Sequence, residues 1–201
     1  MTELCPGYYS PKQSNMRIRA LIMLAVAGLV FISFISGSTE PDMGLKIGDR
    51  APQIVASLPD GTSFDSDSLK GKMVLVDFWA SYDAPSRIDN YRKTMLLERF
   101  ANSEFLNSEG FVIVSISLDR FKTPFYKTIE RDNLFDFYHI CDFEGRESKL
   151  AKKFAISDQM TNFLIDGDGR IVETSNNLDH IESTLQRMES VDRTRFAAYR
   201  R

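Results

Sequence analysis

Apolar runs and turn signals alternate along the chain and predict its elements in order. Ile54 to Ser57 and Thr62 to Phe64 flank Leu58-Pro59-Asp60-Gly61, a turn signal, and predict a hairpin. Met73 to Phe78 is an apolar run suited to a central strand covered on both faces. From about Ala84 to Phe100, the positions Ile88, Tyr91, Met95, Leu96 and Phe100 fit a helical stripe. Phe111 to Leu118 predicts a second buried strand. Thr123-Pro124 predicts a helix start, with Thr as cap and Pro in the first position, running to about Asp132. Phe137 to Cys141 reads as a short strand and Ser148 to Phe154 as a short helix. Thr161 to Ile165 and Arg170 to Thr174, joined by Asp166-Gly167-Asp168-Gly169, predict a second hairpin. Asn177 then caps a last helix with Leu178, Ile181, Leu185 and Met188 on one face. Strands and helices that alternate, then a hairpin and a closing helix, predict an α/β sandwich.

One apolar run stands outside this pattern. Ile18 to Gly37 carries no charge after Arg19, and its continuous stretch, Ala20 to Ile35, is intermediate between a signal h-region and a full membrane span. Lys12, Arg17 and Arg19 precede it, while Glu40 and Asp42 follow. The positive-inside rule then leaves the N-terminus in the cytoplasm and exports the rest. The run is either a signal peptide, cleaved at Ile35-Ser36-Gly37 or Ser36-Gly37-Ser38, or a retained membrane anchor. Met16 opens a complete signal by itself, so residues 1–15 are either a cytoplasmic extension or a mis-assigned start. The expected organisation is a signal or anchor at 16–37, a linker at 38–47, a folded domain at 48–189 and a basic tail at 190–201.

Composition narrows the function classes. The 201 residues carry a formal net charge of −3, which argues against nucleic acid as a partner. The two cysteines, Cys5 and Cys141, lie on opposite sides of the apolar run, which excludes a disulfide framework. With two histidines, His139 and His180, they are too scattered to hold a metal, and no cofactor is expected. His139 is expected on the strand face opposite Cys141, so no Cys-His dyad is predicted.

The stretch Asp77-Phe78-Trp79-Ala80-Ser81, with Gly48-Asp49-Arg50-Ala51-Pro52, Leu69-Lys70-Gly71-Lys72, Gly110-Phe111, Ser117-Leu118-Asp119, His139-Ile140-Cys141-Asp142 and Asn162-Phe163-Leu164-Ile165-Asp166 followed by Gly169, resembles the membrane-anchored TlpA/ResA-like branch of the thioredoxin-like proteins, itself similar to the AhpC/TSA redoxins. The resemblance spans roughly Leu45 to Met188. It implies a thioredoxin-like fold, with a central mixed sheet flanked by helices and an N-terminal β-hairpin extension. It also implies thiol-disulfide chemistry at a Cys-x-Pro-Cys turn. Here that turn reads Asp83-Ala84-Pro85-Ser86. A carboxylate and a hydroxyl can neither attack a partner disulfide nor release a mixed one. The family's cis-proline, which faces the turn, is matched by Met160, and the Gln159–Met160 bond is expected to be trans.

The resemblance places the binding groove at Trp79, Tyr82, Asp83, Pro85, Met160 and Thr161. Asp83 is a good helix N-cap. It either caps the helix alone, with Ser86 as a small filler, or is a fixed acceptor for a partner's amide or cationic group. No histidine is local to activate Ser86 as a nucleophile. Asp77 matches the family's semi-buried acid and is expected to bond to water or to Ser86. Trp79 is read either as groove rim or as packing, and Tyr82 as exposed. Cys141 is expected to be a small buried residue or a lone reactive thiol. The expected function is a non-catalytic, extracytoplasmic protein- or peptide-binding module, attached to the membrane through its N-terminal segment or secreted. The alternative is a thiol-disulfide oxidoreductase or antioxidant-type redoxin acting through Cys141 or a partner's thiols.

Overall fold

The computed structural model describes residues 44–189. The apolar run and the basic tail lie outside them, and among the described residues no helix is long and apolar enough to cross a membrane. Strands β1 (Val55–Ser57) and β2 (Ser63–Asp65) form the predicted antiparallel hairpin, with Ala56 opposite Phe64. Its turn closes by the Leu58 N–H donating to the Thr62 carbonyl and the Gly61 N–H to that of Leu58. Gly61 has φ +86°, a conformation that suits glycine there.

The main sheet is mixed, in the order β5-β4-β3-β6-β7. Its strands are β3 (Met73–Trp79), β4 (Phe111–Ser117), β5 (Tyr138–Ile140), β6 (Asn162–Ile165) and β7 (Ile171–Ser175). β3 pairs in parallel with β4, and β4 with β5, whereas β6 runs antiparallel to both β3 and β7. The seven residues of β3 are all buried. Side chains alternate across a strand, so Val74, Val76 and Phe78 enter one core and Met73, Leu75 and Trp79 the other.

Helices α1 (Ala84–Phe100), α2 (Lys122–Arg131) and α4 (Leu178–Met188) cover the Met73 face through Leu96, Phe100, Phe125, Ile129, Leu178, Ile181 and Leu185. The opposite face is closed by Phe64 of the hairpin, by Leu69 and by the short helix α3 (Lys149–Lys153) with Phe154. Phe78, Phe154 and Phe163 form an aromatic cluster there, with ring centroids 5.2–6.4 Å apart. This is the α/β arrangement expected from the sequence, with the hairpin as an N-terminal extension. Asn177 caps α4 as expected, its side-chain oxygen accepting from the Asp179 N–H at 2.9 Å.

Three local expectations are corrected. Of the stripe expected on α1, Leu96 and Phe100 face the core, but Ile88 is 70% and Tyr91 71% exposed, and Met95 is exposed too. The inward face is instead Ser86, Asn90, Lys93, Leu96 and Phe100, polar in its first half. Helix α2 starts at Lys122, and Phe121 precedes it without a side-chain cap, so Thr123 and Pro124 sit inside the first turn. Proline fits there because first-turn N–H groups have no intrahelical partner.

His139 and Cys141 lie two residues apart and face the same side, not opposite sides. His139 meets Phe125 and Phe137, and Cys141 packs on the same core. They remain uncoupled: His139 Nε2 sits 2.7 Å from the Leu134 carbonyl, while the Cys141 thiol faces the Asp119 carbonyl at 3.5 Å.

Burial pushes the His139 imidazole below its ordinary value, more than the Leu134 carbonyl and Asp77 raise it. A histidine kept neutral in the folded chain, yet free to protonate in the unfolded one, lowers stability as pH falls through about 6.5, the unfolded value. The loss is complete below the depressed folded value. The urea midpoint is therefore expected to drop between about pH 7.5 and 5.5, a window above the ordinary carboxylate range. In His139→Phe the drop over that window should be markedly smaller.

Candidate functional site

β3 ends at Trp79, and after four intervening residues α1 begins at Ala84. Asp83 is extended (φ −91°, ψ 104°) and caps that helix. Its Oδ2 accepts from the Ser86 N–H at 2.9 Å and from the Ser86 hydroxyl at 2.5 Å. Its carbonyl accepts from the Arg87 N–H at 3.1 Å. Pro85 has no N–H to offer. Of the donors that a helix start normally leaves open, Asp83 and Pro85 between them remove all but that of Ala84.

A buried ion pair lies beneath this turn. Asp77 is the one charged residue of β3, and its register places it on the face covered by α1. Lys93 Nζ reaches Asp77 Oδ1 at 2.6 Å, and each residue is only 1% exposed. Asp77 therefore pairs with Lys93, and neither of its oxygens bonds to Ser86, whose hydroxyl goes to Asp83. Asp77 Oδ2 has no hydrogen-bond partner among the described residues.

The polar face of α1 continues outward. Asn90 Oδ1 lies 3.5 Å from Lys93 Nζ, and its amide donates to Asp132 Oδ2 at 3.1 Å. Arg87 grips the same carboxylate with two N–H groups, at 3.0 and 2.5 Å. Burial would raise the Asp132 carboxyl, but the Arg87 and Asn90 hydrogen bonds outweigh it and hold the group below the ordinary carboxylate range.

Asp77, Asp83, Pro85, Ser86 and Lys93 line a cavity of about 230 Å³, together with Asp89, Met160 and Asn162. Asp158, Gln159 and Asn176 complete its walls. The described residues contain no cis peptide bond, so Gln159–Met160 is trans. The structure thus brings together Asp83, Pro85 and Met160 of the expected groove, with Ser86 of the degenerate turn beside them.

Trp79 does not belong to it. It is 0% exposed and packs against Phe125, with ring centroids 6.2 Å apart, because its register points it into the helix-covered core. Thr161 also stays outside the cavity, and its hydroxyl donates to the Gln159 carbonyl at 3.5 Å. Tyr82, 65% exposed, lines a separate hollow with Arg120, Phe121 and Arg146.

Cys141 is half-buried and outside the cavity. Burial, with Asp119 and Asp142 nearby, pushes its thiol up to about 11, against weaker lowering by the Phe143 backbone and Ser117.

The residues missed from the sequence are Lys93, Asn90, Asp89 and Asn162. A signal was present for the first: a lone carboxylate in a buried strand requires a counter-charge, and the following helix offers Lys93 in phase with Leu96 and Phe100. Removing one partner of a buried pair is expected to cost about 3–5 kcal/mol, because the other charge is left uncompensated. Lys93→Met should lower unfolding free energy by that amount in urea titrations. Asp77→Leu combined with Lys93→Met should recover most of the loss.

Comparison with known proteins places this geometry. A family model described as thioredoxin-like matches residues 71–171, half of the chain. The thiol-disulfide oxidoreductase ResA of Bacillus cereus is 23% identical over 162 residues, covering 81% of this chain and 88% of that protein. The thioredoxin domain of a thiol-disulfide oxidoreductase from Bacteroides vulgatus superposes with a TM-score of 0.64 at 24% identity, covering 73% of this chain and 100% of that one. A thiol:disulfide interchange protein from Bacteroides sp. does so with a TM-score of 0.63 at 25% identity, covering 75% and 95%. On a family match of this extent, with relatives of this one kind, the chain belongs to the thioredoxin-like family, on its TlpA/ResA-like side.

Proposed function

We propose that this chain is an extracytoplasmic member of its family with a degenerate redox site, and that it binds an extended protein or peptide without turning over disulfides. The observation that carries this reading is chemical. The cavity at the start of α1 is lined by carboxylates, amides and an ammonium, and by no thiol. Asp83 Oδ2 and the Ser86 hydroxyl are spent on each other and on the helix start. The Met160 loop walls the same cavity and leaves Asp158 and Gln159 exposed beside it. Export rests on the apolar run and its flanking charges.

The alternative, turnover through Cys141, needs a thiolate and a resolving thiol. A thiol pushed up to about 11 leaves about one molecule in ten thousand ionised at pH 7. Cys141 is the only cysteine among the described residues.

The test is a disulfide-reduction assay on the full chain beside Cys141→Ser and beside Asp83→Cys combined with Ser86→Cys. The parent and Cys141→Ser should both be inactive, and the double variant should gain activity. Turnover by the parent that disappears in Cys141→Ser would overturn the non-catalytic reading.

A further inference from the structure

Two buried acceptors in the cavity wall lack hydrogen-bond partners among the described residues: Asp77 Oδ2 and Asn162 Oδ1. Asp77 is 1% and Asn162 5% exposed, so a missing donor is costly at each. Asp83, Asp89 and Asp158 border the same space. From this juxtaposition we infer that the cavity is a receptor for an organic cation of side-chain size, the ammonium of lysine or the guanidinium of arginine in a bound peptide. The inference rests on the peptide-binding reading above and adds the chemistry of the anchoring residue.

Charge decides the sign of the ligand. Four carboxylates border the cavity against one ammonium, that of Lys93, which is committed to Asp77 Oδ1. The start of α1 favours an anion with the equivalent of about half a positive charge. Here only the Ala84 amide is left open, the others being spent on Asp83 or absent at Pro85, and the carboxylates outweigh the remaining dipole. Size and spacing argue against a larger enclosed molecule and against a metal ion. A volume of about 230 Å³ lies below the roughly 300–1,000 Å³ of pockets that enclose whole small molecules. Among the described residues no three His, Cys, Asp or Glu side chains are grouped closely enough to hold a metal ion. An ammonium or guanidinium carries several donors on a flexible stem and can serve scattered acceptors together. Burial raises the Asp89 carboxyl above the ordinary range, more than Lys93 and Arg92 lower it, and a cation beside it would favour its charged form.

The full-length chain should be probed with an array of N-acetylated random heptapeptides. Bound sequences are expected to be enriched in lysine or arginine. Acetylating the lysine of a bound peptide should weaken it about ten- to a hundredfold, as loss of charged hydrogen bonds predicts. Asp89→Asn lies at a partly exposed position and Asp158→Asn at an exposed one, so both should fold with the parent's circular dichroism spectrum, and each should weaken the lysine peptide several-fold. Peptides that bind with no preference for basic residues would overturn the cation receptor and leave peptide binding standing. An array with no bound peptide, while n-butylammonium shifts the Asn162 side-chain amide resonances in NMR, would uphold the cation chemistry and overturn the peptide as its source. Silence from both probes would overturn the two readings together.

Discussion

The contact between Asp77 and Lys93 sets the geometry of everything around it. A carboxylate in the middle of a fully buried strand cannot be left alone, since an unpaired charge in that environment costs several kcal/mol. The helix that follows supplies the partner and is thereby fixed in rotation. With successive residues about 100° apart on a helix, turning Lys93 inward also turns in Ser86, Asn90, Leu96 and Phe100. Ile88, Tyr91 and Met95 are then necessarily turned out to solvent. One electrostatic requirement therefore overrides the apolar periodicity of α1, and it also puts the polar half of that helix against the cavity.

Much of the fold was legible in the sequence because its strands follow simple rules. β3 and β4 are continuous apolar runs, and each hairpin is announced by an Asp-Gly turn, Leu58-Pro59-Asp60-Gly61 and Asp166-Gly167-Asp168-Gly169. Asn177 and Ser148 mark helix starts that the structure honours. The misread parts depend on which way a side chain turns. Trp79 follows Met73 and Leu75 at even spacing, so the period of two already assigned it to the helix-covered core. The same parity puts His139 and Cys141 on one side. In α1 the apolar spacing points to one inner face, but the need to neutralise Asp77 selects another.

The candidate site was half legible for the same reason. Asp83 as a cap, Pro85 and Met160 follow from local sequence and from the family pattern. Lys93, Asp89 and Asn162 reach the cavity only through tertiary packing. Asn162 pairs with Asp77 across β6 and β3, which brings the two orphaned acceptors side by side in the sheet. No local motif encodes that juxtaposition, because it comes from the antiparallel register of strands some eighty residues apart.

Asp132 has a consequence that reaches beyond its own contacts. It is the residue at which α2 ends, and it is also gripped by Arg87 and Asn90 of α1. The first turns of α1 cannot tilt without loosening the end of α2. The helix start that forms one wall of the cavity is therefore braced by a strut to a second helix, so a change at the end of α2 would be felt at Asp83 and Ser86.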